Sequence, residues 1–215
     1  MKQKEKKERK LTAAELRRKE RFQALVADME GQGWAVRDLT IGAVKANILA
    51  IVVMAPFVVL FTVWYLVVNG SLGDNLSLPG LLVLLGVFLV LIVAHEGIHA
   101  LVWGLCAPSG FHSIEFGVVW ATLSPYCTCA EPMKKGQYLL GSAMPTLVLG
   151  FGLGVVAIYT GTAFLLYLSV LLILGGGGDF CIILKLLAYR PRGEAVYCDH
   201  PYEVGLVAFE RPAGA

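Results

Sequence analysis

The chain has 215 residues, 57% of them hydrophobic and 16% charged, and a mean hydropathy of +0.68. Soluble domains average about 25% charged residues and under half apolar, so this composition argues against a soluble protein and excludes disorder, collagen and a disulfide scaffold. The charge is segregated, since 12 of the 18 Lys and Arg precede residue 46 while the apolar residues lie in long blocks. That is the pattern of an integral membrane protein, with a lipid bilayer and no nucleic acid as its expected surroundings.

Residues 1–10 are a charge run, read as a solvated tail. From Thr12 a helix is expected, because Thr12 and Glu15 fit a capping box. Leu16, Phe22, Leu25, Val26 and Met29 give it a partial apolar stripe. Two placements stay open: the helix packs on the protein itself, or it lies on anionic lipid with Arg17, Arg18, Lys19 and Arg21 at the surface. The organisation expected is a basic cytoplasmic segment 1–45, a membrane-embedded core 46–190 and a cytoplasmic tail 191–215.

A hydrocarbon core of about 30 Å needs roughly 20 apolar residues in a helix. Residues 48–68, 81–106, 138–159 and 163–188 supply four such runs. The second is interrupted by His95, Glu96 and His99; the fourth contains Gly175 to Gly178 and then Asp179. The linker 160–162 is so short that the last two runs form a hairpin. The fold class expected is an all-α polytopic membrane protein of about four spans. Between the second and third spans, Ile114, Phe116, Val118 and Trp120 alternate with period two, and Leu123 to Ala130 is a second strand candidate with Pro125 near its start. These predict a short cytoplasmic β-hairpin, with an irregular loop as the alternative.

Orientation follows from Lys and Arg placement. With both termini cytoplasmic, all 18 basic residues fall on the cytoplasmic side: 12 before residue 46, then Lys134, Lys135, Lys185, Arg190, Arg192 and Arg211. A multi-pass protein of a prokaryotic plasma membrane is expected. The first apolar run starts too late and is too long for a secretory signal peptide. Five scattered cysteines make free thiols the default.

Ionisable groups at membrane depth are expensive, and each needs a reason. Lys185 can carry its amine to water. His95-Glu96-Gly97-Ile98-His99 is an H-E-x-x-H sequence on a predicted helix. Residues i and i+4 share a helix face, so both imidazoles can reach one metal ion, with Glu96 beside it to hold and deprotonate a water. A zinc site that keeps one position open needs a third protein ligand. Asp179 is the acidic residue of the last two spans, and counting from the span ends puts it at a similar depth to the two His, roughly 10–17 Å at about 1.5 Å per residue. The preceding glycines let another backbone approach and weaken the helix where a ligand is aimed. Rival ligands are His112 and Glu115 in the loop, His200 in the tail and the Cys127-Thr128-Cys129 pair; Asp74 lies on the wrong side. Structural or simply buried residues are the plainer alternative for each, and for the cysteines the favoured one. Two His and a carboxylate also suit ferrous iron, but a Glu inside the motif favours zinc.

These residues, together with others in order, resemble the DUF3267 family of zincin-type peptidases, small membrane metalloproteases related in concept to site-2 proteases. The pieces that carry the resemblance are His95-Glu96-Gly97-Ile98-His99, Thr122-Leu123-Ser124-Pro125-Tyr126-Cys127, Glu131-Pro132 with Gln137-Tyr138, Met144-Pro145, Gly178-Asp179, and Asp199-His200-Pro201 with Gly205. It covers about residues 100–205 and leaves out the first 45. It implies an intramembrane metalloprotease core with His95, His99 and Asp179 on zinc and Glu96 as the catalytic base. Site-2 proteases usually carry H-E-x-G-H and Asn-x-x-Pro-x-x-x-x-Asp-Gly; here glycine stands at 97 and the aspartate follows Gly175 to Gly178. The function expected is hydrolysis of membrane-spanning or membrane-proximal protein substrates near the cytoplasmic face. The alternative is a metal-binding sensor, adaptor or chaperone without hydrolysis. A transporter is weaker, since no sequence repeat is evident.

Overall fold

The computed structural model describes residues 12–73, 77–119 and 124–212. The charge run 1–10, Asp74, and Trp120, Thr122 and Leu123 of the expected hairpin lie outside them. Helix α1 (Ala13–Gly31) begins with the expected capping box: Glu15 N–H donates to Thr12 Oγ1 at 3.3 Å and Thr12 N–H to the Glu15 carboxylate at 2.8 Å. Strand β1 (Ala35–Thr40) follows, then helices α2 (Ala43–Asn69) and α3 (Leu78–Cys106). After a short 3-10 turn come β2 (Ile114–Val119), β3 (Ser124–Cys129) and the two-residue β4 (Met133–Lys134). Helix α4 (Lys135–Pro145) runs through a π-helical segment (Thr146–Gly152) into α5 (Leu153–Thr160). Helices α6 (Ala163–Gly175) and α7 (Gly177–Ala188) and strands β5 (Gly193–Asp199) and β6 (Gly205–Pro212) complete the order.

Three of these helical runs are long and apolar enough to cross a membrane: α2, α3, and α4 continued through α5. The pair α6 and α7, bent by 44°, makes a fourth if it is one span. The boundaries agree with the four apolar runs of the sequence to within a few residues. A helix satisfies its own backbone polar groups, which is what an apolar medium demands. The outward faces leave Ile48, Ile51, Val59, Leu82, Leu89 and Val93 exposed, a surface far more apolar than water-facing helices carry. Inside, Met54, Phe61 and Tyr65 of α2 pack with Ala157, Ile158, Leu166 and Ile173 of α5 and α6. The α5–α6 turn closes at Gly161, whose φ of +66° favours glycine. Tyr65 Oη donates to its carbonyl at 2.7 Å.

The expected hairpin forms, with β2 and β3 antiparallel from Ile114 opposite Cys129 to Val119 opposite Ser124. The fold is nevertheless not helical apart from that hairpin. A second, four-stranded antiparallel sheet has the order β1-β6-β5-β4. Its central strand β6 is buried on both faces. Val207 and Phe209 face Phe22, Leu25, Val26 and Met29 of α1, while Leu206 and Ala208 join the cluster of Trp103, Tyr138 and Leu186. Each fully buried large side chain is worth roughly 1.5–3 kcal/mol, so α1 is anchored on the protein. Its basic residues are engaged there as well. Arg18 lies 4.3 Å over the Tyr126 ring and Arg21 pairs with Glu115, both on the hairpin, and Lys19 lies over Tyr202. The sheet draws strands from before α2, from between α3 and α4, and from after α7. All three points therefore lie at one end of the helices.

Candidate metal centre

His95 and His99 stand four residues apart on α3, on one face, and both are buried. Asp179 stands in the first turn of α7, just past the break that bends α6 from α7. The break is built for contact: a Cβ on Gly177 would come within 2.7 Å of Ala50 Cβ and 3.1 Å of Ala50 Cα, so only a glycine lets α2 approach this closely. The bend brings Asp179 against α3. His95 Nε2 lies 3.1 Å from Asp179 Oδ2, and His99 Nε2 lies 3.5 Å from Asp179 Oδ1. Three ligand atoms, one from each residue, fall within 4.8 Å of one another. Zinc bonds of about 2.0–2.1 Å in a tetrahedron put neighbouring ligand atoms about 3.3 Å apart. The donor set of two imidazoles and one carboxylate, at this spacing, fits zinc.

The imidazole of His99 is fixed from behind. Its Nδ1 lies 2.9 Å from the Gly141 carbonyl of α4. A carbonyl only accepts, so Nδ1 carries the proton and Nε2 presents its lone pair to the site. On its other side the ring stacks on Trp103, with centroids 4.8 Å apart and planes 16° from parallel. Gly141 makes this packing possible, because a Cβ there would overlap the Trp103 indole. Trp103 Nε1 and Ser142 Oγ both donate to the Tyr138 carbonyl, at 3.4 and 2.9 Å.

Glu96 is half-buried one position along from His95. It interacts with His95, His99 and Asp179, and the backbone N–H of Cys127 in β3 faces it. The hairpin thus roofs the end of the site that Glu96 occupies. Behind the roof, Asp199 at the end of β5 accepts from Cys129 N–H at 3.1 Å and from Tyr138 Oη. Burial pushes its carboxyl up to about 6, against the opposite pull of those two hydrogen bonds.

The rival ligands stand elsewhere. His112 is exposed on the 3-10 turn, and Glu115 pairs with Arg21. His200 packs at a tilt against Phe22 and edge-on against Tyr202, and accepts from Glu203 N–H at 2.9 Å. All five cysteines are free thiols. Burial pushes the Cys127 and Cys129 thiols up, away from the thiolate a metal would take. Among the described residues, His95, His99 and Asp179 are the group of His, Cys, Asp and Glu side chains that converges for a metal. Sequence reasoning assigned no role to Gly141, Trp103, Tyr138 or Asp199. The Gly141 contact is made by a backbone carbonyl, which leaves no mark on residue type.

A cluster of two His and an Asp in apolar helices, with a Glu alongside, can hold one divalent metal and leave a position open next to a proton acceptor. No curated protein and no solved structure matches the chain. Residues 88–193, which include His95, Glu96, His99, Gly141 and Asp179, match the family described as "Putative zincin peptidase", and the chain belongs to that family, DUF3267.

Proposed function

We propose that this protein is an integral membrane zinc metallopeptidase that hydrolyses membrane-spanning or membrane-proximal protein substrates near the cytoplasmic face. The observation that carries the reading is the convergence of His95, His99 and Asp179 from α3 and α7, with Glu96 alongside, in helices of membrane-crossing length. Zinc held by the three side chains would supply Lewis acidity and lower the pKa of a coordinated water towards about 7. Glu96 takes the proton of the attacking water and returns it to the leaving amine nitrogen. His99 is kept in the tautomer that offers Nε2 by its Nδ1–H bond to Gly141. The hairpin can take an extended substrate: among the described residues the outer edge of β2 has no strand partner, and an unwound peptide can add to it as a further strand. Unwinding is required because a helical peptide's carbonyls are already hydrogen-bonded.

The sheet and the charges support a topology with both termini cytoplasmic. Segments from before α2, between α3 and α4, and after α7 share one end of the bundle, which four crossings satisfy. The 12 Lys and Arg of the described residues belong to segments at that end, which supports reading it as the cytoplasmic one. The test is zinc content and cleavage of a quenched-fluorescent peptide with an apolar segment, comparing the wild type with Glu96→Gln. Bound zinc in both and cleavage in the wild type alone is the expected result. Cleavage that persists in Glu96→Gln would remove Glu96 from the chemistry. Stoichiometric zinc with no proteolysis, and a Glu96→Gln variant that functions normally in cells, would replace the peptidase with a metal-dependent sensor or adaptor.

A further inference from the structure

Strand β3 has one edge paired to β2 and one edge turned to the metal site. Cys129 N–H leaves the hairpin and donates to Asp199. Residues two apart in a strand share an edge, so Cys127 also faces outward, where it meets Glu96. Pro125, the next residue in that row, has no N–H to offer. Between Pro125 and Cys129 the site-facing edge therefore presents two backbone donors, one at Glu96 and one at Asp199.

We propose that Asp199 is a positioning residue of the metal site: it ties Cys129 of β3 to Tyr138 of α4 and so holds the roof strand in place over Glu96. Asp199 itself is anchored by the sheet, where it pairs opposite Leu206. One carboxylate oxygen takes the hairpin's N–H and the other takes the Tyr138 hydroxyl. Tyr138 is fully buried and stands one turn before Gly141, whose carbonyl holds His99. A single carboxylate thus joins the sheet, the roof and the helix that orients a metal ligand. Catalytic groups need their geometry held to about 0.5 Å by such supports. Losing one acceptor frees β3 to shift against α3, and Cys127 moves relative to Glu96. An aspartate is required because an amide has one acceptor oxygen where two donors must be met.

The groups that act on Asp199 are Tyr138 from α4, Cys129 from β3, its neighbour Cys198, His99 from α3 and Asp179 from α7. Across a small adjoining cavity stand Arg18 and Arg21 of α1, Glu115 of β2 and His200. With its carboxyl near 6, Asp199 is ionised and accepts both bonds at neutral pH, and protonation below that removes an acceptor.

The kinetic part of the test rests on the peptidase reading, and the structural part does not. Full-length Asp199→Asn and Tyr138→Phe are compared with wild type for bound zinc, amide exchange over residues 124–129, and the pH dependence of kcat and KM on the quenched-fluorescent peptide. In Asp199→Asn, zinc stays stoichiometric, exchange in β3 rises at least tenfold, kcat falls about tenfold, and the acid limb near pH 6 disappears. In Tyr138→Phe the limb persists but moves upward, because the Tyr138 hydrogen bond favours the ionised carboxylate. A general loss of structure would not abolish the pH limb in one variant and shift it upward in the other. Wild-type exchange together with wild-type kcat in Asp199→Asn would overturn the proposal. If the wild type cleaves nothing, the peptidase reading falls, while the exchange rates still decide the brace: faster in Asp199→Asn upholds it, unchanged overturns it. If Asp199→Asn fails to fold, the same exchange comparison on Tyr138→Phe decides it.

Discussion

Replacing Gly141 with alanine is expected to weaken zinc binding although Gly141 touches no metal. The added Cβ would overlap the Trp103 indole, with Cε2 at 2.7 Å. Either the indole moves or α4 does. The first breaks the stack on His99, with its 4.8 Å centroid separation; the second draws the Gly141 carbonyl from the 2.9 Å bond that fixes His99 Nδ1–H. Overpacking of this kind costs about 1–3 kcal/mol. Loss of an outer partner of a metal-binding His lowers metal affinity or activity about 10- to 100-fold, equivalent to about 1.4–2.8 kcal/mol. The assay is zinc affinity by competition with a chromophoric chelator, together with the melting temperature of the zinc-loaded protein. Gly97→Ala is the control, because a Cβ there meets nothing within 4 Å although the residue lies inside the ligand-bearing turn. It should leave zinc affinity unchanged and stabilise α3 by about 0.5–1 kcal/mol. Zinc affinity within twofold of wild type in Gly141→Ala would refute the coupling of Gly141 to His99.

Asp179→Ala should abolish stoichiometric zinc while leaving the helical circular-dichroism signal intact; retained zinc would point to a different third ligand. The Asp199 carboxyl keeps its proton up to about pH 6 in the folded chain and to about 3.8 when unfolded. The folded state therefore binds more protons between these values, and stability falls as pH rises through the window. This contribution is full below 3.8 and lost above 6, by at most about 3 kcal/mol, and a melting series across that range should show it in wild type but not in Asp199→Asn. Phe209→Ala empties a fully buried position between the sheet and α1 and should cost about 3–5 kcal/mol, measured by chemical denaturation.

Much of the fold could be read from residues because the strongest signals were long. The four apolar runs stand out, since soluble elements do not need about twenty predominantly apolar residues in succession. The Thr12–Glu15 cap forms as its spacing implied. The pairing of Asp179 with His95 and His99 was legible because the apolar runs hold few acidic residues to choose from. What escaped is the four-stranded sheet. Leu206-Val207-Ala208-Phe209 is apolar at every position because both faces are covered, so it lacks the alternation that marks a half-buried strand. Strand β1, Ala35–Thr40, lies in the basic segment 1–45 and carries Arg37 and Asp38, so it shows no clean apolar alternation; its place is set by pairing with β6, where Arg37 donates to Glu210 at 2.6 Å. The placement of α1 had two readings. Arg18 and Arg21 turned out to serve the hairpin, and only the tertiary contacts with Tyr126 and Glu115 reveal that.

The pairing of β1 with β6 also sets an order of events during synthesis. β1 precedes the first apolar helix and its partner follows the last; Arg37 and Glu210 are 173 residues apart. At about 5–20 residues per second, β1 waits roughly 10–35 s for its partner to be made. Every apolar helix must leave the ribosome before the sheet can close, and until then β1 is an unpaired edge open to other strands. Helix α1 cannot seat fully before β6 arrives, since Val207 and Phe209 belong to the cluster in which it packs. A half-made chain can already contain His95, Glu96 and His99, but it lacks Asp179, the brace at Asp199 and the seated α1. The cluster is thus complete only once α7 has been made, and its surroundings only once β5 and β6 have followed.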